Sequence, residues 1–181
     1  MSPSPWIRRF APLVPSSGRV LDVACGSGRH ARHFLALGHA VTAVDIDLDR
    51  VRDLSHTSRI ELVEADLEAG PWPLSGRAFA AVVVTNYLWR PLFPELLAAV
   101  EMGGVLLYET FAEGNERFGR PTNPAHLLAP GELLERVRGI LEVIAYEHGV
   151  VNYPRPAVVQ RIAAFKPAPA QERALPIDVL A

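Results

Sequence analysis

The sequence predicts an α/β fold, a doubly wound and mostly parallel sheet that ends in an antiparallel hairpin. Short runs rich in Val, Ile, Leu and Ala alternate with segments whose apolar residues recur at helical spacing, which is typical of βαβ units. The last two runs, 141–150 and 157–165, are joined by a short turn with Tyr-Pro-Arg-Pro, too short for a crossover helix. These two strands must therefore pair antiparallel.

The strand assignments follow from these apolar runs. Residues 79–85 form a continuous apolar run, which is expected of a strand buried on both faces at the centre of a sheet. Residues 105–111 follow a Gly-Gly pair and form the next strand in the chain. The remaining predicted strands are 19–24, 40–45, 59–65, 141–150 and 157–165.

Helices are predicted wherever apolar residues share one helical face. The first, 1–14, is an N-terminal helical segment containing Trp6, which either packs at the periphery or closes over a ligand. A helix over 29–38 buries Ala31, Phe34 and Leu35. Its charged residues Arg29, His30, Arg32 and His33 are expected to form a solvated face, although Arg29, at the start of the helix, could also hold a carboxylate. Three more helices are predicted. One contains Leu48, Val51 and Leu54, the second begins at Pro91, and the third begins at Pro130.

The length of 181 residues suits one domain, which we place at 1–166, with a peripheral Pro/Ala-rich tail at 167–181. Within the domain, the segment 112–130 is rich in Gly, Pro, Asn and charge and is longer than an ordinary connection. Oversized loops on a rigid scaffold often carry specificity. We therefore predict that 112–130 is the substrate-side loop.

Composition excludes several chemistries. Of the 18 basic residues only Lys166 is lysine, and its Phe-Lys-Pro setting matches neither a P-loop, a pyridoxal lysine nor a Tyr-x-x-x-Lys dehydrogenase. The single cysteine, Cys25, excludes an intramolecular disulfide and a cysteine metal cluster, and no metal site is expected. The sequence has no membrane-length apolar run and no signal-peptide core, which predicts a cytoplasmic protein without a membrane partner. A net charge of -2 argues against a dedicated nucleic-acid surface, and the oligomeric state is not indicated.

A glycine loop follows the first strand, in the sequence Asp22-Val23-Ala24-Cys25-Gly26-Ser27-Gly28. Such a turn lets the backbone approach a ligand at the start of a helix. With Ala31 the loop also satisfies the dinucleotide pattern Gly-x-Gly-x-x-Gly/Ala, so the glycines alone do not select the cofactor. Asp22 disfavours a pyrophosphate and suits the ammonium of an amino-acid moiety, although it also suits a loop-capping acceptor.

Two further acids follow the next strands. Asp45 lies where a carboxylate accepts both hydroxyls of a ribose, and Asp66 lies where a carboxylate accepts from an adenine amino group. Either acid would also serve as a helix N-cap. Three acids at consecutive strand ends, without a phosphate-binding lysine, indicate a cationic or neutral adenosyl ligand. S-adenosylmethionine fits this description.

The chain resembles the class I S-adenosylmethionine-dependent methyltransferases over residues 15–166. The resemblance rests on Val-Leu-Asp-Val-Ala-Cys-Gly-Ser-Gly, Val-Thr-Ala-Val-Asp, Glu-Ala-Asp-Leu and Gly-Gly-Val-Leu-Leu-Tyr. It implies a Rossmann-like, seven-stranded sheet whose last strand is antiparallel, with Ala24 standing where the family often has its first glycine. Glu-Thr-Phe-x-x-Gly-Asn-Glu-Arg-Phe-Gly-Arg-Pro further resembles a small bacterial single-domain branch of the tellurite-resistance type. The cofactor-binding residues implied by the family are Asp22, Ala24, Gly26, Gly28, Asp45, Ile46, Asp66, Leu67, Asn86 and Tyr87.

This resemblance predicts in-line methyl transfer from S-adenosylmethionine to a small-molecule acceptor. Asn86-Tyr87 follows the central strand without the two prolines that amino-methylating DNA and RNA enzymes have there, which disfavours a nucleic-acid acceptor. Tyr87 is a candidate aromatic wall for the reacting cation, and His126 is the candidate general base. The other acceptor-binding candidates in 112–130 are Asn115, Arg117, Phe118 and Arg120. The alternatives are an NAD(P)-dependent oxidoreductase and a non-catalytic adenosyl-ligand-binding protein.

Overall fold

A computed structural model describes residues 2–168 and contains a seven-stranded sheet in the order β3-β2-β1-β4-β5-β7-β6. Strands β1 to β5 pair in parallel, whereas β7 pairs antiparallel with both β5 and β6. The predicted fold class is therefore confirmed, with β4 in the middle of the sheet. The strands are β1 (Arg19–Val23), β2 (Ala40–Asp45), β3 (Ile60–Glu64), β4 (Phe79–Thr85), β5 (Val100–Phe111), β6 (Glu142–Val151) and β7 (Ala157–Phe165).

The helices are short and cover both faces of the sheet. They are α1 (Pro5–Phe10), α2 (Arg29–Ala36), α3 (Phe93–Ala99) and α4 (Glu132–Val137). The helix predicted around Leu48, Val51 and Leu54 is instead a 3₁₀ segment, Asp49–His56. The reason lies in the spacing, because a period of three aligns side chains on one face of a 3₁₀ helix and not of an α-helix.

Strand β5 begins at Val100, five residues earlier than the predicted start at 105. The Gly-Gly pair lies inside the strand because the backbone there passes close to β4. A Cβ on Gly104 would lie 3.0 Å from the carbonyl oxygens of Phe79 and Ala80. The glycine therefore allows the close approach that extends the strand.

Two hydrophobic layers sandwich the sheet. One packs α3 and α4 against it, and there the ring of Phe93 stacks on Tyr108 with centroids 5.5 Å apart. The other packs α1 and α2, with Trp6, Ile7 and Phe10 among its fully buried side chains. Peripheral packing of the N-terminal segment is therefore the wrong alternative, because α1 belongs to the core.

The predicted tail lies almost entirely outside the described residues, which end at 168. Within residues 2–168, each helix is too short or too polar to cross a lipid bilayer.

Candidate functional site

The glycine loop leaves β1 in an unusual backbone conformation. Ala24, Gly26 and Gly28 have φ angles of +50°, +56° and +67°, in the left-handed region. A Cβ on Gly28 would lie 2.5 Å from Val51 Cγ1, whereas a Cβ on Gly26 would meet no atom within 4 Å. Gly28 is therefore required by packing as well as by φ, and Gly26 leaves open space beside the loop.

Asp45, at the end of β2, holds this loop in place. Its Oδ2 accepts a hydrogen bond from the Gly26 N–H at 2.8 Å, and its Oδ1 accepts from the Asp47 N–H at 3.1 Å. The Cys25 N–H also donates to the Val44 carbonyl at 3.1 Å, which ties the loop to β2. The structure thus brings Asp45 and the glycine loop into direct contact. A carboxylate has about four lone-pair sites, so it retains capacity for further donors.

Asp22 lies beneath the loop and is 1% exposed. Its Oδ2 accepts from the Ala31 N–H at 2.9 Å, which is the loop-capping contact considered above. Burial raises the pKa of Asp22 to about 7, and the Ala31 hydrogen bond and the Arg29 charge offset this only in part. The carboxyl group is thus poised to titrate near neutrality.

Asp66 begins the loop after β3. Its Oδ1 accepts from the N–H groups of Glu68 and Ala69 at 2.9 and 3.1 Å, so it caps the turn in the manner of a helix N-cap. The neighbouring Leu67 is buried, whereas Ile46, next to Asp45, is 63% exposed. The strand ends therefore present two carboxylates and one uncovered apolar side chain along one edge of the sheet.

Asn86 and Tyr87 follow β4 at the same edge. Asn86 has a φ of +56°, and its N–H donates to the Glu109 carbonyl at 2.9 Å. The Tyr87 carbonyl accepts from the Tyr108 hydroxyl at 2.9 Å. The hydroxyl of Tyr87 itself is buried and has no partner with hydrogen-bond geometry within residues 2–168. Burial, reinforced by the Glu68 and Asp66 carboxylates, raises its pKa. Glu68 is also close enough to accept from this hydroxyl, so the hydroxyl faces a carboxylate of the protein itself.

A cavity of about 490 Å³ opens at the start of α2, directly after the glycine loop in the chain. It is bounded by the segment before α1, the ends of β4 and β5, and the β6–β7 hairpin. Asn86 and Arg29 line it, so it reaches the start of α2 and the end of β4. Its other charged lining residues are Arg8, Glu109, Arg155 and Arg161.

The wall of the cavity is held by polar contacts between remote parts of the chain. The Ser4 hydroxyl donates to Glu109 Oε1 at 2.8 Å, and Arg161 Nε lies 3.4 Å from Glu109 Oε2. Trp6 donates its indole N–H to the Ile162 carbonyl at 3.3 Å. These contacts fix α1 and the segment before it against β5 and β7.

His30 belongs to this wall, which corrects the prediction that it lies on a solvated face. It is 1% exposed. Its Nε2 accepts from the Ser4 N–H at 3.2 Å, so the ring is neutral, with the proton on Nδ1 facing Thr85 Oγ1 at 3.3 Å. Burial, followed by the Arg29 charge, lowers its pKa to about 3. The sequence feature that indicates burial of His30 is its position one turn before Phe34, on the apolar face of α2.

None of the predicted residues of the loop 112–130 lines the cavity. Asn115 is 1% exposed, donates to the Pro121 carbonyl and accepts from the Val158 N–H, both at 3.2 Å. Arg90 anchors the same loop by donating to the carbonyls of Ala125 and Leu127 at 2.7 and 2.8 Å. The loop is thus fastened to the sheet by structural contacts. Exposed positions in it include Arg117, Phe118, Arg120 and the candidate base His126.

The fold and the glycine-loop edge agree with the resemblance to the class I S-adenosylmethionine-dependent methyltransferases. Residues 20–104 match a family model described as a methyltransferase domain. This match begins in β1 and includes the glycine loop, Asp45, Asp66 and Asn86. The resemblance stated from the sequence is confirmed, and the family match supports S-adenosylmethionine as the cofactor.

Solved structures share the fold. TehB from Haemophilus influenzae is 20% identical with a TM-score of 0.71 over 86% of this chain, and this chain spans 60% of TehB. The glycopeptide N-methyltransferase MtfA, solved with S-adenosyl-L-methionine, is 25% identical with a TM-score of 0.62, covering 88% of this chain and 92% of MtfA. The N-methyltransferase NodS from Bradyrhizobium japonicum is 16% identical with a TM-score of 0.68, covering 93% of this chain and 100% of NodS. No curated protein matches the chain significantly.

Proposed function

We propose that the protein transfers a methyl group from S-adenosylmethionine to a small-molecule acceptor. The observation that carries this proposal is the glycine loop held by Asp45 at the carboxyl edge of the sheet, inside the segment that matches a methyltransferase domain. Ligands of open α/β sheets bind at this edge. The sulfonium of the cofactor would supply the electrophilic methyl group.

The residues present fit an adenosyl amino acid. Asp45 retains acceptor capacity for ribose hydroxyls, and Ile46 and Leu67 offer apolar contacts beside the acids. The remaining cofactor contacts in the proposal are Asp22, Ala24, Gly26, Gly28, Asp66, Asn86 and Tyr87. Arg29, near enough to Asp22 to lower its pKa, suits the carboxylate of the methionine portion.

The cavity supports a small acceptor. Its volume of about 490 Å³ falls within the size range of small-molecule sites. It adjoins Asn86 and the start of α2, where the methyl group would be presented. In-line displacement would draw most of its rate from holding the acceptor, methyl group and sulfur collinear with water excluded.

Calorimetry with S-adenosylmethionine and S-adenosylhomocysteine tests the proposal. Asp45→Asn keeps the shape of the side chain but places an amide against the Gly26 N–H and the ribose, so we expect roughly tenfold to hundredfold weaker binding. Asp49→Asn is the matched control, because Asp49 is an exposed carboxylate in an Arg52 ion pair nearby. Absence of binding to the native protein, or equal affinity in the two variants, would contradict the cofactor site.

The acceptor is sought by release of S-adenosylhomocysteine across a panel of small molecules. Tight cofactor binding without release on any acceptor would favour the non-catalytic adenosyl-binding alternative. Fluorescence enhancement of NADH, with no S-adenosylmethionine binding, would favour the oxidoreductase alternative.

A further inference from the structure

The cavity has a strongly basic wall in a chain whose net charge is -2. Four arginines line it, Arg8, Arg29, Arg155 and Arg161, against a single carboxylate, Glu109. These arginines come from α1, α2, the β6–β7 turn and β7, so the concentration of charge arises only in the folded protein. Convergence of positive charge from separate elements on one concave surface favours an anionic ligand.

The arginines differ in how far their charges are already compensated. Arg161 lies 3.4 Å from Glu109 Oε2 and 3.5 Å from Glu147 Oε2, so it belongs to the wall network. Within residues 2–168, no carboxylate oxygen lies within 4.0 Å of the guanidinium groups of Arg8, Arg29 or Arg155. These three therefore face the cavity with their charge available to a ligand.

Arg29 differs from the other two arginines in the role that the proposed function gives it. Arg29 opens α2 beside the glycine loop, where the proposed function assigns it to the carboxylate of the cofactor. Arg8 and Arg155 belong to α1 and to the β6–β7 turn, and the Arg155 guanidinium lies 6.0 Å from the ring centroid of Phe111. Phe111 and Tyr153 add apolar surface beside these two charges.

We propose that the acceptor is an organic anion, a carboxylate or a phosphate monoester on an apolar body, whose anionic group is bound by Arg8 and Arg155. Guanidinium groups form strong charge-assisted hydrogen bonds with both kinds of oxyanion. Phe111 and Tyr153 pack against the apolar body. The assignment of this anion as the methyl acceptor rests on the proposed function, whereas the anion site itself does not.

Binding of simple probes tests the anion site directly. The full-length protein is titrated with phenylacetate, phenyl phosphate and the neutral phenylacetamide, observed by ligand NMR at low salt and again at high salt. We expect the anions to bind about tenfold or more tightly than the amide, with the preference reduced by salt. Whichever of the two anions binds more tightly indicates whether the site prefers a carboxylate or a phosphate. Equal binding of phenylacetamide would overturn the proposal.

Variants locate the site. In Arg8→Gln/Arg155→Gln the preference for anions should disappear, while Arg52→Gln/Arg138→Gln, which removes two exposed arginines elsewhere, should retain it. Retained anion preference in the first double variant would overturn the assignment to these residues. Circular dichroism checks that both variants are folded.

Calorimetry with S-adenosylhomocysteine on the same preparations separates the two proposals. Anion preference without S-adenosylhomocysteine binding would contradict the proposed function and leave the anion site standing. S-adenosylhomocysteine binding without anion preference would contradict only the anion site. Where both are present, a screen for S-adenosylhomocysteine release should give turnover with acids and not with their amides.

Discussion

The two sides of the sheet edge are assembled in different ways. On the glycine-loop side, contacts join residues close in sequence, with a separation of 9 from Asp22 to Ala31 and of 19 from Gly26 to Asp45. On the cavity side, Ser4 contacts Glu109 across 105 positions and Trp6 contacts Ile162 across 156. A short motif reveals the first kind of site, whereas the second exists only after the chain has folded.

Among the variants that test this contrast, Gly28→Ala should have the largest effect on stability. The added Cβ would combine left-handed strain with the 2.5 Å contact to Val51, so we expect a loss of about 2 to 4 kcal/mol in the free energy of unfolding. Gly26→Ala is the matched control, because it has a similar φ but open space. Urea denaturation measures both, and equal losses would show that packing against Val51 is unimportant.

The next prediction concerns two buried titratable groups with opposite pKa changes. The pKa of Asp22 rises from 3.8 to about 7, so the folded state holds the Asp22 proton more tightly than the unfolded state does. The contribution of Asp22 to stability therefore falls as the pH rises through this range. The pKa of His30 falls from 6.5 to about 3. Its contribution to stability is therefore fully present above pH 6.5 and is lost as the pH falls towards 3. Between about pH 4 and 6.5 the two contributions therefore oppose each other.

Removing either titratable group should leave the pH dependence that the other one causes uncompensated. The free energy of unfolding of Asp22→Asn should rise with pH more steeply than that of the native protein, by about 1.4 kcal/mol per pH unit between pH 4.5 and 6. For His30→Gln the slope should change by a similar amount in the opposite sense. Urea denaturation across this pH range measures the slopes, which are independent of any constant loss of stability. Parallel curves for all three proteins would contradict the pKa assignments.

A smaller effect is expected from Ser4→Ala on the cavity side. The variant loses the N-cap acceptor for the Trp6 N–H and the hydrogen bond to Glu109, which should lower the free energy of unfolding by about 1 to 2 kcal/mol. Thermal and urea unfolding measure this loss. Ser55→Ala, which removes an exposed hydroxyl bonded to the Arg52 carbonyl, should have little effect. An equal loss in the control would show that the Ser4 contacts contribute nothing beyond those of an exposed serine.

The smallest effect is expected from His126→Ala. Because His126 is exposed and does not line the cavity, turnover should remain within about twofold of the native value. The rate of S-adenosylhomocysteine release across pH, once an acceptor is found, measures this. A fall of about a hundredfold, with loss of the lower limb of the pH profile, would establish His126 as the general base.

The sequence predicted what depends on local pattern. The central place of β4 and the antiparallel pairing of β6 with β7 both follow from the apolar runs and from the short turn between the last two strands. Predictions that needed knowledge of remote contacts were incomplete. The buried role of His30 depends on Ser4 and Thr85, which no spacing rule connects to it.

The loop 112–130 shows the same limit from the other direction. Its length and composition suggested acceptor recognition, but Asn115 is used to bind Pro121 and Val158, and Arg90 fastens the second half of the loop. Oversized loops can be structural when a remote arginine satisfies their carbonyls. Nothing in the sequence indicated Arg155 and Arg161 or the convergence of four arginines, because these residues are scattered along the chain and meet only through the fold.

The only lysine of the chain, Lys166, is held by two backbone carbonyl groups. Lys166 donates from Nζ to the carbonyls of Leu97 and Val100 at 3.1 and 2.7 Å, where α3 gives way to β5. Acylation would convert this amine, with several N–H donors, into an amide with a single N–H. Modification at this one side chain should therefore weaken the contact that holds the end of β7 to the junction between α3 and β5.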